Sequence, residues 1–216
     1  MVRAFGAFGA FVVTLTIFQV ASVAAQSPAA APPGLPPGVY MGEANFKQAP
    51  AGDYAIDPDH ASVIARVSHL RYSYSIFRFD RLSGTMKWDP ADVAKSSLSA
   101  KVQTASITTN VKGFATELAG DGFLKSAAFP EATFTSTAFR QTGEGRGKVD
   151  GQFTLMGKTK PVTFDVELVG AGKGFGDSPR IGINARTNIN PVDFGLPALL
   201  GDAIEIVVDA EFAKTP

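Results

Sequence analysis

The stretch that most constrains the fold is residues 149–168. In its first arm Val149, Gly151, Phe153 and Leu155 alternate with Asp150, Gln152 and Thr154; in its second, Val162, Phe164, Val166 and Leu168 alternate with Thr163, Asp165 and Glu167. Period-two alternation on both sides of a short polar turn specifies an antiparallel hairpin with one wet face and one apolar face. Gly157-Lys158-Thr159-Lys160 is the expected turn. Pro161 is the expected first residue of the second arm, because proline has no N–H to give to a central strand ladder.

The same rhythm recurs along the chain. Val63, Ala65, Val67 and His69 share one parity against Ser62, Arg66 and Ser68, with Ile64 as the exception. Phe77 and Phe79, Met86 and Trp88, Leu98, Ala100 and Val102, and Ala132, Phe134 and Ser136 repeat it. Two longer runs follow, Ile181, Ile183, Ala185, Thr187, Ile189 and Ile204, Ile206, Val208, Ala210, Phe212. Roughly eight strands at short spacing, with turn signals between them, argue for an antiparallel barrel or sandwich. Residues 110–129 break the rhythm: Asn110 can cap a helix, and Phe114 and Leu118 lie one turn apart. They predict one or two short helices over a barrel end. Residues 190–201 form an unusually apolar loop.

The chain opens with Arg3 and an apolar run over residues 8–20, ending in Val23-Ala24-Ala25. That is the pattern of a secretory signal over residues 1–25 processed after Ala25, and the run is short for a membrane span. Residues 26–52 carry Pro28, Pro32, Pro33, Pro36, Pro37 and Pro50 among alanines and glycines and predict a mobile spacer. The globular domain is expected over residues 53–214, and the location of the mature chain in the periplasm.

Composition narrows the function classes. Lys plus Arg and Asp plus Glu number 20 each, which gives no electrostatic case for nucleic acid. Cysteine is absent, so disulfides, thiolate metal sites and cysteine nucleophiles are excluded. His60 and His69 are the only histidines, and no third ligand is spaced to help them hold a metal. No Gly-x-Ser-x-Gly turn is present, and Gly143-Glu144-Gly145-Arg146-Gly147 reads as a hairpin turn, not a phosphate loop. Asp193 suits capping or tying a loop better than catalysis. The sequence makes no positive case for an enzyme, a catalytic residue, a metal or a cofactor.

Several segments, in order, resemble the YceI-like family: Gly151-Gln-Phe-Thr-Leu-Met-Gly-Lys-Thr-Lys-Pro-Val162, Tyr54-x-Ile56-Asp57, Val67-Ser68-His69, Ser106-Ile107-x-Thr109, Phe129-Pro130-x-x-x-Phe134-x-Ser136 and Asp193-Phe194-Gly195. The likeness spans about Tyr54 to Phe212. It departs at Phe114-Ala115, where the family often has Arg-Asp, at Phe77, where glycine is common, and near Asn190-Pro191, which lacks an arginine. The resemblance implies an all-β fold, an eight-stranded antiparallel lipocalin-like barrel with one or two short helices at one end. It also implies an amphiphilic lipid ligand, an isoprenoid or quinone-type molecule, in the barrel interior. The side chains expected to line that interior are Val63, Val67, His69, Phe77, Phe79, Met86, Trp88, Val102, Phe134, Phe153, Leu155, Phe164, Val166, Ile183 and Ile206. His69 is expected there as a hydrogen-bonded structural residue before a ligand contact. Ala65, Ala100, Ala132, Ala138 and Ala185 share the inward parity and leave room. An acyl-lipid or fatty-amide binder, an accessory to quinone-linked electron transfer and a packed domain without ligand remain open alternatives, as do a transient contact with a membrane or membrane protein and a homodimer.

Overall fold

The computed structural model describes residue 34, residues 36–200 and residues 203–216. The expected signal segment and its processing site lie outside the described residues, as do residues 26–33 and 35 of the expected spacer. The described strands are β1 Gly52–His69, β2 Ser73–Phe79, β3 Leu82–Trp88, β4 Ser97–Gln103, β5 Ile107–Thr108, β6 Glu131–Gly143, β7 Arg146–Leu155, β8 Lys158–Lys173, β9 Pro179–Ile189 and β10 Ile204–Lys214. One α-helix, α1 Phe114–Ala119, lies between β5 and β6 among the described residues.

The strands form one antiparallel sheet in the order β10-β9-β8-β7-β6-β4-β3-β1-β2-β5, and a further pairing of β10 with β1 closes it. The closed ring therefore holds eight strands (β1, β3, β4 and β6 to β10), and the fold is an all-β barrel with few short helices. Closure pairs the first and last strands of the sheet and so removes its two outer edges. β2 and β5 extend the same wall: β2 lies beyond β3 on the same side of β1, and β5 flanks β2 as β4 flanks β3. β1, with 18 residues, is long enough to place Gly52–Ala55 beside β3 and Val63–His69 beside β2. Between these halves its register with β10 shifts from Ile56–Phe212 to Ala61–Ala210, so residues 57–60 bulge opposite Glu211 alone.

The hairpin of residues 149–168 is present, with a shorter turn than the sequence predicts. Leu155 pairs directly with Lys158, and the turn is Met156-Gly157, with φ of 50° and 72°. A two-residue turn of that hand matches the twist of the flanking strands. Lys158, Thr159 and Lys160 belong to β8, and Pro161 lies inside the strand opposite Gln152. Proline is tolerated there because β9 joins β8 only from Asp165 onward, so at residue 161 one edge of β8 is unpaired. The polar outer face of this hairpin is laced across strands. Arg140 grips Asp150 through two bonds of 2.7 and 2.8 Å, Thr163 donates to the same carboxylate at 2.6 Å, and Lys148 pairs with Asp165. The hydrogen bond from Arg140, followed by that from Thr163, holds the Asp150 carboxyl at a pKa of about 2.

The two barrel ends are covered by different segments. β3 runs from Leu82, beside Val102, to Trp88, beside Gly52, and this fixes the two ends. At the Gly52 end the chain before β1 docks on the barrel. Glu43 bridges to Ala171, residues 46–48 form a 3₁₀ turn capped by Asn45, Ala49 is fully buried, and the Phe46 ring meets Trp88 edge-on at 6.0 Å. The last part of the expected mobile spacer is thus packed, because Phe46 and Ala49 supply the apolar contacts the rest of it lacks. Tyr40 and Met41 remain exposed.

At the other end lie α1 and residues 190–200. Asn110 does not cap α1: the N-cap is Gly113, with φ 82°, and the helix is six residues long. The expected second helix is a run of turns in which the Leu124 N–H donates to the Leu118 carbonyl. Phe114 contacts Phe77 and Phe123 edge-on at 6.0 and 6.5 Å. The apolar loop after β9 forms two 3₁₀ turns, Pro191–Phe194 and Ala198–Leu200, and Phe194 is buried against Phe153 at 5.3 Å. Its apolar composition follows from that position: it is part of the core wall.

Candidate functional site

The interior of the barrel is not filled. The buried residues form two clusters, one of Phe134, Phe139 and Val149 on the β6–β7 wall and a larger one including Tyr54, Val67, Phe77, Trp88 and Phe212. A cavity of about 300 Å³ lies within the barrel and is lined almost entirely by apolar surface. Its size is at the lower edge of ordinary small-molecule sites.

Of the fifteen side chains expected to face inward, fourteen line this cavity: Val63, Val67, Phe77, Phe79, Met86, Trp88, Val102, Phe134, Phe153, Leu155, Phe164, Val166, Ile183 and Ile206. His69 does not. It has the parity of Val67, but it pairs with Ser73 at the end of the β1–β2 hairpin, past the last β1–β10 pair at Arg66, and its side chain is exposed to solvent. Among the small residues Ala65, Ala100, Ala132 and Ala185 line the cavity, and Ala138 does not. The register of β6 against β7 slips between Ser136 and Ala138, which inverts the parity and turns Phe139 inward instead. A bulge of this kind leaves no mark in the alternation.

The sequence also missed the ends. Phe46, Leu118, Phe123, Leu124, Leu196 and Leu200 line the cavity from segments with no strand periodicity. The signal available for them was composition: apolar residues concentrated where connections are normally polar.

Charge is kept out of the interior. Lys101, Arg140, Arg146 and Lys148 touch the cavity wall, but their charged ends pair on the outside with Glu131, Asp150, Glu167 and Asp165. The Trp88 indole is buried at the Phe46 end, and its Nε1 has no acceptor among the described residues. A partly buried cluster of charged groups lies elsewhere, on the outer face at the β1 bulge. There the Arg180 guanidinium bonds to Asp57 and, at 2.6 Å, to Glu211, while His60 meets Asp57 at 3.1 Å. The Arg180 hydrogen bond lowers the Asp57 pKa to about 2, and Asp57 in turn raises that of His60. These four groups tie a bulge to its neighbours and do not face the cavity. Asp193 is exposed in the first turn of residues 191–194, with its N–H on the Asn190 carbonyl. Among the described residues no group of three or more His, Cys, Asp or Glu side chains is placed to hold a metal ion.

The YceI-like domain family matches residues 54–212. The chain belongs to the YceI-like family. It is 37% identical over 171 residues to a UPF0312 protein of Pseudomonas fluorescens SBW25, covering 77% of this chain and 89% of the relative. Among solved structures it is similar to the Campylobacter jejuni YceI protein, with a TM-score of 0.62 and 26% identity over 69% of this chain and 91% of the other. A polyisoprenoid binding domain from Saccharophagus degradans has the same fold, with a TM-score of 0.55 at 18% identity, covering 76% of this chain and 98% of that domain. In this YceI-like chain Gly157 completes the two-residue turn and Lys158-Thr159-Lys160-Pro161 open β8, and none of the five lines the cavity.

Proposed function

We propose that this chain is an exported, periplasmic binding protein that carries an isoprenoid lipid, a polyprenyl or quinone-type amphiphile, inside its barrel without changing it chemically. The observation that carries this reading is the almost wholly apolar void of about 300 Å³, surrounded mainly by aromatic and aliphatic side chains. A dry channel is sufficient to hold a prenyl tail, since each CH₂ removed from water contributes about 0.8 kcal/mol. Membership of the YceI-like family and the polyisoprenoid binding of the S. degradans domain favour a prenyl chain over other apolar ligands. The signal pattern of residues 1–25 supports export.

Trp88 is the only tryptophan of the chain and lines the cavity, so it reports occupancy directly. Titration of delipidated protein with a dispersed prenyl quinone is expected to quench its fluorescence saturably, and the quinone should be recovered unaltered. Organic extraction of protein purified from the cell envelope, followed by mass spectrometry, identifies the natural ligand. A fatty acid or fatty amide in that extract would assign the acyl-lipid alternative, and turnover of the quinone would replace carriage by catalysis.

A further inference from the structure

Residues 43–50 precede the family-matched region, which begins at residue 54, yet they supply part of the cavity wall through Phe46. The segment is anchored on both sides of that residue. Glu43 exchanges main-chain hydrogen bonds of 2.9 and 2.8 Å with Ala171 of β8, and the Gln48 side-chain amide donates to the Glu43 carboxylate at 2.9 Å. Just before it, Gly42 lies so close to Gly170 that a Cβ on either would stand 3.0 Å from the other's Cα. On the far side Ala49 is fully buried, and the Tyr54 hydroxyl donates to the Pro50 carbonyl at 2.7 Å.

The 3₁₀ turn between these anchors sets the Phe46 ring edge-on to Trp88 at 6.0 Å. Phe46 is half-buried because it borders two spaces of opposite character. With Val93, Leu98 and Phe139 it lines the apolar interior. It also lines an outer groove bounded by residues 44–47, 90–94 and 139–144, where Asn45, Lys47, Asp92 and Glu144 are exposed. Its ring is therefore part of the partition between the void and a polar groove open to solvent. Closure of the strand ring does not use this segment, and ordering a stretch rich in proline, alanine and glycine costs conformational entropy. What the barrel gains is an aromatic stopper at its Gly52 end.

On the basis of the lipid-carrier reading, we propose that Phe46 is a specificity-determining residue: its ring ends the apolar path at the Gly52 end and so sets the longest prenyl tail the barrel accepts. A longer tail has to leave carbons in water or in the polar groove and forfeits their burial. A phenyl ring and an isoprene unit are similar in bulk, so the side chain at position 46 moves the limit by about one unit.

The test uses delipidated protein and ubiquinone homologues whose tails lengthen one isoprene unit at a time, supplied from detergent micelles. Bound quinone is extracted and quantified after protein and micelles are separated. From that apolar reservoir the homologues that fit should bind the wild type about equally, and the first that is too long should bind roughly tenfold more weakly or worse. Phe46→Ala should move the break to a longer homologue, and Phe46→Trp to a shorter one. Level binding up to the longest homologue, or a break at the same homologue in all three proteins, overturns the proposal and leaves the carrier reading standing. A break moved in the same direction by both substitutions also overturns it, because that reports a disturbed segment and not the size of the side chain. Failure of every homologue to bind the wild type removes the carrier reading and the proposal with it.

Discussion

Val166→Trp separates a hollow barrel from a filled one. Val166 lines the cavity from β8, and its flanking partners are Gly147 on β7 and Ala185 on β9, with Val208 next across β10. This row of small side chains leaves space in front of Val166. Adding an indole to a well-packed core ordinarily costs about 1–3 kcal/mol through strained rotamers and shifted backbone. Here the ring enters the void, so the expected loss in delipidated protein is under about 1 kcal/mol by that comparison, read by urea unfolding followed by circular dichroism. The same ring displaces roughly four to six CH₂ groups of a bound tail, each worth about 0.8 kcal/mol. Affinity for a prenyl ligand should therefore fall by about 3–5 kcal/mol, two or more orders of magnitude in Kd by calorimetric titration. A stability loss above about 3 kcal/mol, with ligand affinity unchanged, would refute the reasoning, because it would place Val166 in a filled core away from any ligand.

Two further outcomes follow from the walls of the barrel. Asp57 titrates at about 2 in the folded chain, below the ordinary carboxylate value, so its contribution to stability is present above about pH 4 and is lost as pH falls toward 2. Asp57→Asn should lose that part of the acid dependence and cost about 1–2 kcal/mol at neutral pH, since Arg180 retains Glu211 as a partner; acid titration of unfolding monitored by circular dichroism checks both. Gly151→Ala should cost about 1–3 kcal/mol or more in urea unfolding, because a Cβ there would lie 2.4 Å from the Phe134 Cζ and 2.5 Å from the Thr135 carbonyl oxygen.

The inner face was legible in the sequence wherever a strand kept strict alternation against a single partner on each side. Phe153, Leu155, Phe164 and Val166 were placed correctly because a one-residue slip would have moved each of them to solvent. The errors fall where that condition fails. His69 keeps the parity of Val67, but the barrel wall ends before it. Ala138 follows a bulge that hands its inward place to Phe139. Pro161 signals a strand start, yet β8 begins three residues earlier at Lys158, because the single-sided pairing that admits an internal proline is a tertiary fact. The closing segments, Phe46 at one end and Leu118, Leu124 and Leu200 at the other, carry no periodicity to read.

Closure of the two ends is not equivalent, and this bears on how a tail reaches the interior. At the Gly52 end the docked chain is tied by main-chain bonds in both directions between Glu43 and Ala171, at 2.9 and 2.8 Å, and by the Tyr54 hydroxyl on the Pro50 carbonyl at 2.7 Å. At the other end α1 is six residues long, too short to be stable alone, and its N-cap is a left-handed glycine that offers no side-chain bond. Beside it the ring strands are supplemented by the two-residue β5, which pairs with β2 only through Arg78–Thr108 and Phe79–Ile107. Packing of Phe114 and Leu118 onto the barrel rim is what holds this cover in place. Local opening draws on the least-bonded segments of a fold, so the cover that yields first is α1.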